Sequence, residues 1–185
     1  MNSQDFNSAA RQHFGRVLAP FGFDSARSRS CVFYRNLGND IYHVVMPDLG
    51  TRGAWYDVKI FATSTCFESN FDELFPDDIG IPSDVCCYLS DAGITSRQVT
   101  FNCKTIANFI ARFQNTVEPL LTSIAIPYLN EISTFDGLAK HVRNPFHLAV
   151  ANYYLQRENA EQELRTQLHR CIRLDSPKAL PRARC

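Results

Sequence analysis

The stretch Ala54-Trp55-Tyr56-Asp57-Val58-Lys59-Ile60-Phe61-Ala62 decides the fold class of this 185-residue chain. Apolar Tyr56 and Val58 alternate with charged Asp57 and Lys59. A period of two is typical of a β-strand that buries one face and exposes the other. The stretch therefore predicts a half-buried strand.

Two shorter β-type runs, 31–35 and 41–46, precede this strand, and the turn residues 37–40 separate them. Three successive strands with short connections predict an antiparallel meander. Such a small sheet needs a cover on its apolar face. Residues 5–19 are predicted to form a helix that supplies the cover, because their apolar side chains recur at spacings near three and four.

The ends of this first helix carry their own signals. Asn2 or Ser3 is expected to cap its N-terminus, since a short polar side chain there accepts a hydrogen bond from a free backbone N–H. Pro20 and Gly22 are expected to end it.

The segment 66–98 shows no helical period of useful length and contains Pro76, Gly80, Pro82 and Gly93. Its phenylalanine and leucine side chains are too apolar for a free linker. We therefore predict an ordered but irregular insertion here, with one short strand over 85–89.

The chain is predicted to be helical from about residue 104 onward. Apolar residues follow a pattern of threes and fours over 106–124, Pro119 is expected to kink or split this helix, and Pro127 is expected to end it. Shorter helices are predicted over 135–142, 146–156 and 158–174, the last two as a helical hairpin, followed by a frayed tail over 175–185. The expected fold is α+β within a single domain, 1–185: an N-terminal helix on an antiparallel β-meander, then a C-terminal helical subdomain.

Charge is balanced overall but polarised along the chain. The 19 basic and 19 acidic residues give a net charge of zero, which argues against a dedicated nucleic-acid binder. Residues 40–91 hold ten acidic and two basic residues, a net charge of −8, whereas residues 140–185 carry +5. A solvated loop face is the simple interpretation of the acidic segment, and an anionic docking surface is the sharper one.

The compartment follows from the absence of targeting signals. No apolar run approaches the roughly 18 residues that span a bilayer, and the N-terminus lacks the basic and apolar regions of a secretory signal. The seven cysteines form no Cys-x-x-Cys pair. We therefore expect a cytoplasmic protein with no membrane association, whose cysteines are reduced thiols, mostly small core residues.

Catalytic and metal-binding signatures are missing from the sequence. No Gly-x-Ser-x-Gly elbow, phosphate-binding glycine loop or His-x-x-x-His pair occurs. His43 lies mid-strand, where a hydrogen-bonded structural histidine is the more common role than a catalytic base. We expect no enzyme activity, catalytic residue, metal site or cofactor.

Aromatic residues are frequent, with 14 Phe, 7 Tyr and the single Trp55. On a meander, Tyr34, Tyr42, Trp55 and Tyr56 would suit base stacking, but the basic groove that accompanies it in single-strand binders is missing. We therefore assign the aromatics to core and interface packing. Core burial is the expected state of Trp55, and Trp55 and Tyr56 are also the candidate anchors for a protein partner.

Several short segments carry a resemblance: Leu18-Ala19-Pro20-Phe21-Gly22-Phe23, Phe33-Tyr34-Arg35, Asn39-Asp40-Ile41-Tyr42-His43-Val44-Val45, Trp55-Tyr56-Asp57-Val58-Lys59-Ile60, Ile126-Pro127-Tyr128-Leu129, Ser133-Thr134-Phe135-Asp136-Gly137-Leu138 and Leu148-Ala149-Val150-Ala151-Asn152-Tyr153-Tyr154-Leu155. In this order they resemble a family of uncharacterised bacterial α+β domains found in polymorphic-toxin neighbourhoods, where small proteins serve as immunity factors. The resemblance implies a binding role and supplies no catalytic residue. The acidic insertion departs from a minimal member of that family, and charged insertions are common places for partner recognition.

The resulting hypothesis is an immunity-type protein that occludes the cationic active site of a cognate toxin or effector protein. Its expected contacts are the two aromatic anchors and the acids of the insertion: Trp55, Tyr56, Glu68, Asp72, Glu73, Asp77, Asp78 and Asp84. The alternatives are an enzyme or small-molecule-binding domain with a pocket between sheet and helices, and a helical-hairpin scaffold in a larger assembly. The sequence leaves the oligomeric state open.

Overall fold

The computed structural model describes residues 1–26, 31–38, 41–64, 87–141, 152, 158–160, 162–163 and 166. These residues form an N-terminal helix, an antiparallel sheet and a helical region that follows the sheet in the chain. The predicted α+β fold class is confirmed.

Helix α1 (Ser3–Leu18) begins where the sequence predicts. Asn2 is its N-cap, and the Asn2 Oδ1 accepts a hydrogen bond of 2.8 Å from the backbone N–H of Asp5. A single 3₁₀ turn, Ala19–Phe21, follows, and Gly22 with a φ of 81° closes it, a left-handed conformation that favours glycine. The side chains that α1 buries are those of the predicted stripe: Phe6, Ala10, Phe14, Val17 and Leu18.

The strands are β1 (Asp24–Ser25), β2 (Phe33–Asn36), β3 (Ile41–Leu49), β4 (Trp55–Ser64), β5 (Cys87–Ser90), β6 (Gly93–Thr95) and β7 (Phe101–Asn102). Within the described residues these seven strands form one antiparallel sheet in the order β1-β2-β3-β4-β5-β6, and β7 pairs with the start of β4. The predicted meander is its centre, with Phe33 paired to Val45 and Val45 to Ile60.

The sheet is wider than the predicted meander. Strand β5 overlaps residues 87–89 of the short strand expected over 85–89, and β6 and β7 extend the sheet within and just beyond a segment that was expected to be irregular. Strands β6 and β7, of three and two residues, are too short to show a period of two, which is why the sequence gives no signal for them. Residues 66–86 of the predicted insertion lie outside the described residues.

The two faces of the sheet have different partners. The inner face, represented by Val45, Tyr56, Val58 and Ile60, packs against α1 and the later helices in the hydrophobic core. The outer face carries the intervening residues, identified by strand alternation and pairing: Tyr34, Tyr42, Val44, Met46, Asp48, Trp55, Asp57, Lys59, Phe61 and Tyr88. On the outer face Trp55 and Tyr34 are exposed, whereas Val44 and Asp57 are buried.

The long helix spans 106–131 and is not uniformly α-helical. It comprises α2 (Ile106–Arg112), a π-helical segment Phe113–Val117, α3 (Glu118–Leu120), a second π-helical segment Leu121–Ala125, and α4 (Ile126–Glu131). Thr105 caps it, since the Thr105 hydroxyl accepts a hydrogen bond of 3.1 Å from the Asn108 N–H. A further helix, α5 (Phe135–His141), matches the prediction over 135–142.

Pro127 does not end the long helix, contrary to the prediction, and the helical course also continues through Pro119. The N–H groups just before these prolines, of Glu118 and Ile126, donate to carbonyls five residues back. A proline ring crowds the carbonyl four residues back in a regular α-helix, and the π turn changes that spacing. The Ser123 hydroxyl also donates to the Pro119 carbonyl at 2.7 Å.

The core joins α1, the inner face and the long helix through aromatic contacts. The ring centroids of Phe14 and Phe113 are 4.8 Å apart, and those of Phe6 and Phe109 are 5.6 Å apart. The predicted helices over 146–156 and 158–174 lie largely outside the described residues, which include only 152, 158–160, 162–163 and 166 of that range. The predicted tail over 175–185 also lies outside them.

Candidate functional site

Trp55 is the most exposed large apolar residue on the outer face. Its side chain is 47% exposed, so the expected core burial is wrong. The reason is strand alternation: Tyr56 and Val58 point into the core, and Trp55 therefore points to the opposite face with Asp57. The position of Trp55 fits the predicted role of a contact residue.

The backbone of Trp55 is hydrogen-bonded on both sides, although its indole is exposed to solvent. Trp55 is paired to Asn102 of β7 on one side, and its carbonyl accepts a 2.8 Å hydrogen bond from the Gly50 N–H on the other. An exposed indole on a hydrogen-bonded strand is preorganised, because little backbone freedom is lost when a partner binds.

Tyr56 does not accompany Trp55 on the surface. It is 1% exposed, and its ring centroid lies 5.3–5.6 Å from those of Phe6, Phe101 and Phe109. The Tyr56 hydroxyl has no hydrogen-bond partner within the described part of the chain. A side chain enclosed in this way has no surface to offer a partner, so the expected anchoring role of Tyr56 is corrected to a core role.

Asp57 is a buried carboxyl two residues from Trp55 on the same face. It is 3% exposed, and its Oδ2 accepts a hydrogen bond from Gln98 Nε2. Its Oδ1 has no hydrogen-bond partner in the residues that the structure describes. Burial raises the pKa of Asp57 above its ordinary value, although the Gln98 hydrogen bond and the Lys59 charge oppose this change. Polar groups left unpaired in this way cost stability and tend to mark functional positions.

An ion pair lies beside Asp57 on the neighbouring strand. Asp48 is the direct cross-strand partner of Asp57, and the Asp48 Oδ2 lies 2.6 Å from the Lys59 Nζ. Burial lowers the pKa of Lys59, but the hydrogen bond to Asp48 and the nearby carboxylates outweigh burial, so the pKa is raised. Lys59 thus stays charged and neutralises part of the acidic surface.

The six acids of the insertion, Glu68, Asp72, Glu73, Asp77, Asp78 and Asp84, lie outside the described residues. The structure shows where their segment joins the sheet: it leaves β4 after Ser64 and returns at Cys87. Since Cys87 pairs with Ile60, the segment is attached to the same strand that carries Trp55. Trp55 begins this strand and Ser64 ends it.

Tyr34 and Tyr42 also belong to the outer face, as the aromatic-face alternative requires, and Tyr34 is exposed. They share that face with the Asp48–Lys59 pair and Asp57. In the described part of the face, Lys59 lies beside the carboxyls of Asp48 and Asp57. A single-strand binder has a basic groove instead.

His43 has the structural role predicted for it. The imidazole is fully buried on the inner face, its Nδ1 accepts a 3.0 Å hydrogen bond from Arg35 Nε, and its Nε2 lies 3.4 Å from the Ile132 carbonyl. Burial and the positive charge of Arg35 lower the pKa of His43 to about 4. Neutral His43 therefore ties β2 and β3 to the end of the long helix.

The described cysteines fit the prediction of core thiols. Cys31 and Cys103 are buried and free, and burial raises the pKa of each to about 11. Cys87 is half-buried with its Sγ 3.6 Å from the Tyr128 hydroxyl. Cys66, Cys86, Cys171 and Cys185 lie outside the described residues.

Sequence reasoning missed Asp57 and Gln98 as neighbours of Trp55. A signal for Asp57 was present, because the alternation that groups Asp57 with Lys59 also places Trp55 on their face. No sequence signal exists for Gln98, which reaches Asp57 from a loop 41 residues away in the chain.

Comparison of this chain with protein-family models, curated proteins and solved structures finds no match. Among the described residues, no group of three or more His, Cys, Asp or Glu side chains is arranged to hold a metal ion. In the same part of the chain, we find no helix with the length and hydrophobicity that crossing a bilayer requires.

Proposed function

We propose that this protein binds and neutralises a cognate bacterial toxin or effector protein in the cytoplasm, as an immunity protein does. The observation that carries the proposal is Trp55, an exposed indole fixed on a strand of the outer face. Tryptophan is enriched among the few residues that supply most of the binding energy at protein interfaces.

The charge around Trp55 indicates the chemistry of the partner. Asp57 and Asp48 lie on the same face as Trp55, with Lys59 paired to Asp48. The segment 40–91, to which these residues belong, carries a net charge of −8. A partner surface rich in lysine and arginine complements this charge, and complementary fields accelerate association.

The proposed mechanism is occlusion. Trp55 anchors the contact, and the acids of the insertion, Glu68, Asp72, Glu73, Asp77, Asp78 and Asp84, enter a cationic active-site cleft in the toxin. No covalent chemistry is needed, since a tightly bound acidic surface excludes the toxin's own substrate.

The test of the anchor uses the protein encoded by the neighbouring reading frame as the partner. Trp55→Ala is expected to weaken binding by about 2 kcal/mol, roughly 30-fold, with faster dissociation. Ile106→Ala is the matched control, since Ile106 is 45% exposed but lies on the long helix. Equal affinities for both variants in surface plasmon resonance would contradict the proposed anchor.

The acidic mechanism has its own test. Charge reversal at Asp72, Glu73, Asp77 and Asp78 to lysine is expected to slow association with the partner, and added salt is expected to slow association of the native protein. Unchanged partner affinity in a variant with an intact fold would remove the acidic surface from the mechanism.

The alternative, an enzyme or small-molecule-binding domain with a pocket between sheet and helices, has less support. In the described residues that interface is filled by fully buried side chains, among them Tyr56, Phe109, Phe113 and Leu121. His43 is enclosed there with Arg35 as its partner, on the opposite face of the sheet from Asp57. Turnover of a substrate by the isolated protein would favour this alternative.

A further inference from the structure

A groove of about 320 Å³ lies between β7 and the first turns of the long helix. Its lining consists of Asn102, Asn108, Ala111, Arg112, Asn115 and Thr116. No acidic side chain lines the groove among the described residues. Its volume is at the lower end of the range for sites that bind small molecules.

The asparagines offer the groove mainly hydrogen-bond donors. The Asn102 Oδ1 accepts a 3.2 Å hydrogen bond from the Lys104 N–H, and the Asn108 Oδ1 accepts one of 2.8 Å from the Thr105 hydroxyl. Each oxygen keeps one lone pair, and within the described residues each NH₂ group keeps both of its donors, so donors outnumber acceptors on these two carboxamides. The backbone N–H of Lys104 fixes the orientation of Asn102, since only the carboxamide oxygen can accept from it.

Arg112 adds a positive charge to these donors. Its Nη1 donates a 3.2 Å hydrogen bond to the Thr116 hydroxyl one helical turn later. This contact restrains the guanidinium and leaves Nε and Nη2 for a ligand. Within the described residues, no carboxylate forms an ion pair with Arg112.

We propose that this groove binds a small molecule through an oxyanion, a phosphate or carboxylate group. Oxyanions accept several hydrogen bonds at once, and their bonds to guanidinium groups are among the strongest in proteins. A neutral sugar fits less well, because it carries no charge to pair with Arg112 and these two carboxamides offer it fewer acceptors than donors. This site is independent of the proposed toxin binding.

The test is a titration of the full chain with inorganic phosphate, succinate and glucose, followed by NMR of the asparagine side-chain NH₂ groups. Saturable shifts with phosphate, with succinate or with both are expected, and the pattern identifies the preferred oxyanion. Arg112→Gln is expected to weaken that binding about tenfold or more. Arg97→Gln is the matched control, because Arg97 is exposed and does not line the groove.

Several outcomes would overturn the proposal. One is the absence of a saturable shift with either anion. A second is binding of glucose with the same affinity as the anions. A third is equal anion affinity of Arg112→Gln and the native protein. Arg112 is exposed, so the variant is expected to fold, and circular dichroism checks this. Toxin binding is measured separately, so failure of either proposal leaves the other intact.

Discussion

At the scale of single residues, Asp57 is a buried carboxyl that costs stability. Its burial raises its pKa, and its Oδ1 has no hydrogen-bond partner among the described residues, so the charged form is disfavoured in the folded state. Its exposed neighbour Trp55 is held on the same face. Proteins keep costly polar groups mainly where function requires them, which supports placing the contact site here.

Asp57→Asn is expected to raise the free energy of unfolding at pH 7 by about 1 kcal/mol, because it removes a buried charge but keeps an acceptor for Gln98. Urea denaturation measures this. The matched control is Asp48→Asn, which removes an exposed partner of Lys59 and is expected to leave stability unchanged or slightly lower. A loss of stability in Asp57→Asn larger than that in the control would contradict this account of Asp57.

His43 makes stability depend on pH. Its pKa is about 4 in the folded protein against an ordinary value of 6.5, so the unfolded chain binds the proton more readily. Neutral His43 therefore contributes fully to the free energy of unfolding above pH 6.5. This contribution, roughly 3 kcal/mol, is lost as the pH falls toward 4. Urea denaturation at pH 7 and pH 4.5 measures it against His43→Gln. The same pH dependence in both proteins would show that His43 is not the group responsible.

The sequence identifies some of these residues and misses others for physical reasons. Alternation in β4 assigns Tyr56 and Val58 to the inner face and Asp57 to the outer face. The hydrophobicity of tryptophan, taken alone, favours burial of Trp55. Alternation decides the outcome, since a strand cannot turn one side chain inward without turning its neighbours outward. The Gln98 contact depends on tertiary structure and has no local signal.

At the scale of elements, the long helix buries side chains at a strict spacing of four. They are Phe109, Phe113, Val117, Leu121, Ala125 and Leu129. In a helix of 3.6 residues per turn, each step of four rotates the side chain by about 40° around the axis, or about 200° over the series. The π-helical segments hold more residues per turn and offset this rotation, so the buried stripe stays on one side.

This geometry separates two adjacent leucines. Leu121 is fully buried and Leu120 is half-buried, whereas an uninterrupted α-helix counted from Phe113 places Leu120 inward. Leu121→Ala is expected to cost about 3 kcal/mol and Leu120→Ala about 1 kcal/mol. Thermal and urea denaturation of the two variants measures the difference. A larger loss for Leu120→Ala would indicate a regular α-helix in place of the π turns.

The apolar pattern predicts the long helix, but it does not predict the π turns. Apolar residues at Leu120, Leu121 and Ile124 satisfy both a period of 3.6 and a period of four, so the sequence does not distinguish the two. Pro127 is therefore predicted to end the helix, because a proline ring is incompatible with regular α-helical hydrogen bonds in the turn before it. The short strands β6 and β7 are set by pairing with longer strands, which a local pattern does not show.

At the scale of the whole molecule, the two faces of the sheet differ in their surroundings. The described helices and the inner face share one hydrophobic core, and the outer face carries Trp55 with the carboxyls beside it. The acidic segment joins the sheet at β4, and the net charge of −8 over 40–91 lies in the same third of the chain. The proposed contact with a basic partner combines the exposed indole of Trp55 with this negative charge.

Because Trp55 is the only tryptophan, 5-fluorotryptophan labelling places one ¹⁹F probe at the centre of the proposed contact. The labelled protein is titrated with the protein encoded by the neighbouring reading frame, and complex formation is confirmed independently by size-exclusion chromatography. We predict one solvent-sensitive resonance in the free protein that shifts and loses its solvent isotope effect in the complex. A complex that forms while this resonance stays unchanged and solvent-sensitive would contradict the account.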